Sequence, residues 1–233
     1  MWSDVADVPQ VWIASFHPLC KNAQGRKAVS GGLPPFIDGA CRREPDLEAP
    51  YPSISELCRP GVFAHKLEEG QQVVYVTVKR AYGQAAHHRY VARLTVLKVL
   101  KSHEAAADWY RAGALSLPSN CMVTGSLPVE YHETSGGDTD VRSYPLDVRL
   151  KYWDGYYRRL AKKSCTFVAC SVEYRELFNP PVIETVDWIE TIGRVPGTQT
   201  PTRFPLSDVL ALESRVLQKP RPSPYPVVRT DRA

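Results

Sequence analysis

The chain has no apolar run approaching the roughly 20 residues that a membrane-spanning helix requires; its longest apolar stretches are of strand length. No membrane partner is therefore expected. It also lacks GxxxxGK[ST] and a strand-anchored GxGxxG, which removes two familiar ways of cradling triphosphates and dinucleotides. Neither a GxSxG elbow nor HExxH occurs, and the H-x-E with P-C-x-x-C of base deaminases is missing as well. Internal repeats are absent.

Closely paired cysteines are missing too. The six cysteines, at 20, 41, 58, 121, 165 and 170, are widely and irregularly spaced, and a chain of this size needs no disulfide frame, so reduced thiols are expected. Cys41, Cys58 and His65 are the one set that could converge on a metal, but they match no ligand knuckle and fall short of the four ligands of a structural zinc. No metal and no cofactor is expected. The stretch Met1-Trp2-Ser3-Asp4-Val5-Ala6-Asp7 carries acids and no basic, apolar leader, so the expected location is cytoplasmic.

What is present is a chain of 233 residues with a formal net charge of +4 and a pI near 8.7. That balance permits a nucleic-acid partner without requiring one. The expected division is an extension over 1–10, a single domain over 11–218 with a long loop insertion at 22–60, and a Pro- and Arg-rich tail over 219–233 that reads as extended and disordered.

The centre of that domain lies between Glu68 and Leu100. Val73 to Val78 and Tyr90 to Leu100 are rich in β-branched residues and flank a polar segment, the pattern of two strands joined by an exposed loop. In the second run Val91, Leu94, Val96 and Val99 sit among Arg93, Thr95, Lys98 and Lys101, which predicts a sheet with one apolar and one wet face. Val11 to Phe16 is a further short strand, and the apolar run Cys165 to Val172 is a strand buried on both faces. Ser102 as N-cap, three alanines and Gly113 predict a helix over 102–111. Tyr144 to Leu160 and Ser207 to Gln218 predict two more. Ser53 with Glu56 three residues on predicts a single capped helical turn, and Leu117 to Val123 leads into a polar, Gly-rich segment to Asp140 that reads as a mobile loop.

Several side chains invite a functional reading. Asp38 to Asp46 packs Arg42 and Arg43 among acids, either as a solvated turn with locally paired charges or as a recognition loop whose arginines fork onto phosphate. Trp153, Tyr156, Tyr157 and Leu160 share a helical flank, which predicts core packing, with base stacking as the alternative. Cys20 beside His17 and Lys21 is the closest thiol, imidazole and amine grouping, and a catalytic use of Cys20 or Cys41 stands as an alternative to plain core packing.

The order of parts resembles the nucleotide-modification-associated domains, most nearly their second family, and more distantly the EVE, YTH and ASCH branches of the PUA-like superfamily. The resemblance rests on the Val11 to Phe16 strand, the Cys41-Arg42-Arg43 loop, the strand entry Leu67 to Tyr75, the Tyr90 to Leu100 strand, the helix with Trp109, and the Cys165 to Val172 strand. It implies an α+β fold, a PUA-like, partly open β-barrel with helices packed around it, cupping a pocket for a single modified or flipped base. Ser15, Phe16, His17, Tyr75, Thr77 and Asn120 would then border the pocket, with Arg42, Arg43 and Lys79 on phosphates. The expected function is a nucleic-acid-binding module, DNA or RNA, that catalyses nothing, in a DNA-modification or phage-related setting. The alternatives are an enzyme acting on a modified nucleotide through Cys41, Lys21 or Glu44, and a scaffold that binds protein partners through the 22–60 loop and the tail.

Overall fold

The computed structural model describes residues 8–57, 59–82, 85–136 and 145–221. At its centre β3 (Gln72–Thr77) runs antiparallel to β4 (His88–Leu100), whose other edge carries β5 (Phe167–Arg175). β1 (Gln10–Phe16) lies parallel to β3 and takes β7 (Thr202–Pro205) on its far side, while β2 (Ser53–Ser55) closes the opposite edge against β5. The order is β2-β5-β4-β3-β1-β7, with β6 (Val182–Ile183) paired to the start of β4. Register shifts at Tyr75/Val76, Arg93/Leu94 and Val96/Lys98 are the irregularities that bend and twist strands. The resulting mixed sheet curls into a half-barrel with, among the described residues, five α-helices around it, an α+β architecture.

Period-two alternation sorts the strands onto two faces. Ala14, Phe16, Val73, Tyr75, Leu94 and Val96 join one cluster with Phe36, Ile37 and Phe63. Val11, Ile13, Val74, Val76 and Tyr90 join the other, with Trp188 of α4 (Thr185–Ile192) and Val209, Leu212 and Val216 of α5 (Leu206–Gln218). So the face expected to be wet is partly roofed. Arg93 donates from Nε and Nη2 to the two Glu213 carboxylate oxygens on α5 (2.8 and 3.1 Å), and the Tyr90 hydroxyl donates to the same group at 2.6 Å.

α2 (His103–Ala112) forms as expected, with the Ser102 hydroxyl accepting from the Ala105 amide and Gly113 ending it. α3 (Leu146–Ala161) packs Tyr157 and the inner side of Trp153 on Cys41, Leu57 and Met122. Two expectations need correction, and two further stretches add to the reading. The stretch 22–60 is not irregular throughout: it holds α1 (Ala23–Ser30), capped by the Asn22 side chain on the Gly25 amide, as well as β2. Ser53 starts that strand rather than a helical turn, because its hydroxyl is donated to Asn120 Oδ1 (2.7 Å) and the Glu56 carboxylate is taken by His65 (2.7 Å). Asn120, Cys121, Met122 and Val123 are buried ahead of the expected loop, and within its described part, 124–136, Ser126, Thr134 and Ser135 are buried among exposed and half-buried residues. Between Glu184 and Pro205 lie α4, marked by a reciprocal Glu184 and Asp187 capping box and a left-handed Gly193, and then β7.

Residues 1–7, Cys58, Tyr144 and the tail from 222 lie outside the described residues. Among the described residues no helix is long and apolar enough to cross a membrane.

Candidate functional site

β1 and β3 run parallel and end side by side, Phe16 opposite Thr77. The residues that follow them, His17 on one and Val78, Lys79 and Arg80 on the other, open into a cavity of about 640 Å³. That volume falls within the roughly 300–1,000 Å³ of small-molecule sites. Phe16, Ile54, Phe63, Tyr75 and Val78 supply its apolar wall; Ser15, Asp38, Glu44 and Ser55 supply its buried polar groups. Phe16 and Tyr75 stand edge to face, ring centroids 6.2 Å apart.

The two carboxyls have unusual surroundings. Glu44 Oε1 accepts from the Ser55 amide (2.8 Å), and Oε2 meets the Ser55 hydroxyl and the Asn120 amide (3.1 Å). Burial, against these hydrogen bonds, still pushes its carboxyl up to about 8, with nearby Asp38 adding to the rise. Asp38 accepts from the Ala40 amide at 2.8 Å and is pushed up to about 6, again by burial. Glu44 is therefore a neutral acid at pH 7 that can donate as well as accept.

The exposed side of the cavity is cationic. Lys79 and Arg80 are exposed and Arg59 is half-buried. His17 is pushed down to about 4 by desolvation and by Lys21, Arg80 and Arg59, so it stays neutral there. Arg59 also pins one lip of the cavity: its Nη2 donates to the Ser15 carbonyl and to the Thr198 carbonyl (3.2 Å), where the Ser15 hydroxyl donates too (2.9 Å). The carboxyls thus sit at the buried side and free positive charge at the open side.

Of the residues singled out from sequence, Ser15, Phe16, His17, Tyr75 and Lys79 share this wall. Thr77 does not: it is fully buried and its hydroxyl accepts from the Arg89 amide (2.9 Å). Asn120 stands one layer behind, between Ser53 and Glu44. Arg42 and Arg43 are corrected from phosphate ligands to internal struts. Arg42 is 0% exposed, with Nε and Nη2 on Asp154 of α3 (2.9 and 2.7 Å), and its remaining donors on the Ser119 carbonyl and Ser126. Arg43 is ion-paired to Glu48 (2.6 Å) and donates to the Asp38 carbonyl (2.6 Å). A guanidinium whose donors are all turned inward has no fork left for phosphate.

Among the groups in the enzymatic alternative, Glu44 alone lines the cavity. The Cys41 thiol is packed in the α3 cluster and pushed up to about 12 by burial, the reverse of an activated nucleophile. Among the described residues no group of three His, Cys, Asp or Glu side chains is placed to hold a metal ion. Sequence reasoning missed Asp38, Ser55, Arg59, Phe63, Arg80, Thr198 and Gln199 as cavity residues. Arg80 had a signal, since it directly follows Lys79 past the strand end; Arg59 and Thr198 arrive from distant loops and had none.

Comparison with protein-family models, with curated proteins and with solved structures gives no match to this chain.

Proposed function

We propose that the protein is a PUA-like module that binds nucleic acid and takes one base, modified or flipped from its stack, into the cavity at the ends of β1 and β3, without catalysing a reaction. The observation that carries this reading is the polarity of the cavity: an aromatic and aliphatic wall with buried Glu44 and Asp38 on one side, and Lys79, Arg80 and Arg59 on the open side. A base offers a flat apolar face and a hydrogen-bonding edge, while its phosphates stay outside. Phe16 and Tyr75 meet the face, Ser15, Ser55, Glu44 and Asp38 meet the edge, and the cations meet the backbone. The setting is a DNA-modification or phage-related one.

A second reading is favoured by one observation, the buried Glu44 carboxyl inside the cavity, where desolvation favours its protonated form. It would serve as a general acid toward a modified nucleotide. The experiment that separates the two is incubation of the protein with oligonucleotides carrying single modified bases, followed both by binding and by product analysis. Binding that weakens in Arg80→Ala with unchanged oligonucleotide recovered supports recognition alone. Turnover that vanishes in Glu44→Gln supports catalysis, and absence of binding to every base presented in an extruded or single-stranded form overturns both.

A further inference from the structure

We propose that the outward stripe of α3, formed by Tyr152, Tyr156 and Arg159 with Lys151 beside them and Lys162 and Lys163 directly past the helix end, is a docking surface for single-stranded nucleic acid. The surface does not depend on the cavity reading and has its own tests.

Three observations converge. At 100° per residue, positions 148, 152, 156 and 159 fall on one side of the helix, and Lys162 and Lys163 follow directly past its end at Ala161. That side is open: Tyr152 is 50% and Tyr156 38% exposed, and Arg159 and Lys163 are exposed. The core-packing role belongs to the opposite flank, where Tyr157 and the half-buried Trp153 meet Cys41, Leu57 and Met122. The exposed rings are nonetheless held in place. Trp153 stands edge to face with both Tyr152 and Tyr156 at 5.6 Å, and the Arg159 guanidinium lies 6.0 Å above the Tyr156 ring. Preset aromatic faces beside cations are what a strand of stacked bases and phosphates requires.

The second observation is charge. Residues 146–163 carry six Lys and Arg against two Asp, an excess equal to the formal net charge of the whole chain. Asp154 is already neutralised by Arg42 and Arg158, each at 2.7 Å, and Asp147 sits 3.9 Å from Lys151. What faces outward is positive, and complementary to a polyanion.

The third is Gly155. It interrupts the middle of α3, between the row of Lys151 and Lys162 and the row of tyrosines, where a glycine weakens a helix relative to alanine. A methyl group at that position would meet nothing within 4 Å among the described residues. Packing among those residues thus gives no reason for it. Close approach of a ligand to the helix backbone does. An anionic bilayer fits less well, because the stripe offers Val148 and two tyrosines where a membrane-lying helix needs a broad apolar face.

The test is anisotropy of a labelled, mixed-sequence single-stranded DNA 12-mer titrated with the full chain at two salt concentrations. The double variant Tyr152→Ala, Tyr156→Ala is expected to bind about tenfold more weakly or worse, with an unchanged melting temperature. Lys162→Ala with Lys163→Ala is expected to flatten the salt dependence. Gly155→Ala, which keeps every side chain of the stripe, is expected to bind more weakly while melting no lower than the parent protein. Arg80→Ala, at the cavity, leaves the α3 contribution in place, so failure of the two sites is told apart. Unchanged affinity in the tyrosine variant, unchanged affinity in Gly155→Ala, or retention on phosphatidylserine vesicles at concentrations where the 12-mer is not bound would each overturn the assignment.

Discussion

Residues 38–46 hold Asp38, Arg42, Arg43, Glu44 and Asp46, and all five are buried; residues 151–163 hold Lys151, Arg158, Arg159, Lys162 and Lys163, and all five are exposed. Both stretches are charged, and both are rich in arginine. In the first, the groups are held internally: Arg42 has Asp154, Arg43 has Glu48, Asp46 accepts from the Ser119 amide and hydroxyl at 2.7 and 2.8 Å, and burial favours the protonated form of Glu44. A buried charge survives only with such partners, and its removal leaves the partner uncompensated. In the second, the charges cost little to keep and contribute little to stability; Arg158 is turned to Asp154 (2.7 Å), while Arg159, Lys162 and Lys163 remain available to a ligand. The loop shapes the cavity from inside, and the helix presents its charge outside.

The largest expected effect follows from that contrast. Arg42→Met should lower unfolding free energy by ~3 kcal/mol in urea titration, by stranding the buried Ser119 and Ser126 acceptors and leaving Asp154 only its exposed partner Arg158, whereas Lys162→Ala should stay within ~0.5 kcal/mol of the parent. Equal losses would erase the distinction between the two regions.

Next comes pH. Burial holds the Glu44 proton on the folded state up to about pH 8, while the unfolded chain releases it near 4.5. The folded state thus holds more protons across that window, and the stability this group contributes is lost as pH rises. His17, His88 and His103, all pushed down to about 4, act with the opposite sign and are shared by parent and variant. Relative to Glu44→Gln, the parent should therefore lose stability, on the order of 1 kcal/mol, between pH 6.5 and pH 8. A flat difference would mean that Glu44 is not held neutral.

A smaller effect is expected at the cavity mouth. Arg80→Ala should leave stability unchanged, weaken oligonucleotide binding, and reduce the slope of log affinity against log salt by about 1. Arg43→Ala should show the converse, with stability lost. A binding defect confined to Arg43→Ala would return phosphate contact to the buried loop.

The sequence showed the strands β1, β3, β4 and β5 and the helices α2 and α5, because their signals are local: alternation, an apolar run, or a Ser102 cap with Gly113 beyond. β2 was hidden because Ser53 and Glu56 have the spacing of a helix cap, and their actual partners, Asn120 and His65, lie elsewhere. The fate of Arg42 was equally hidden, since its acceptor is 112 residues away on α3. At the cavity, Ser15, Phe16, His17, Tyr75 and Lys79 were legible as the residues around two strand ends, whereas Arg59 and Thr198 meet only after the sheet has curled. α4 did carry a local signal in Glu184, Asp187 and Gly193 that composition around Pro180 and Pro181 obscured.

The most direct measurement is methyl NMR of the full chain titrated with a DNA duplex containing one unpaired base and, separately, with the matched duplex. Ile54 and Val78 line the cavity, and Val148 lies exposed on α3, so their methyls report the two regions independently. The account predicts ring-current shifts at Ile54 and Val78 with the unpaired base and none with the matched duplex. Shifts confined to Val148, or equal shifts at Ile54 and Val78 with both duplexes, would contradict a cavity that receives a base.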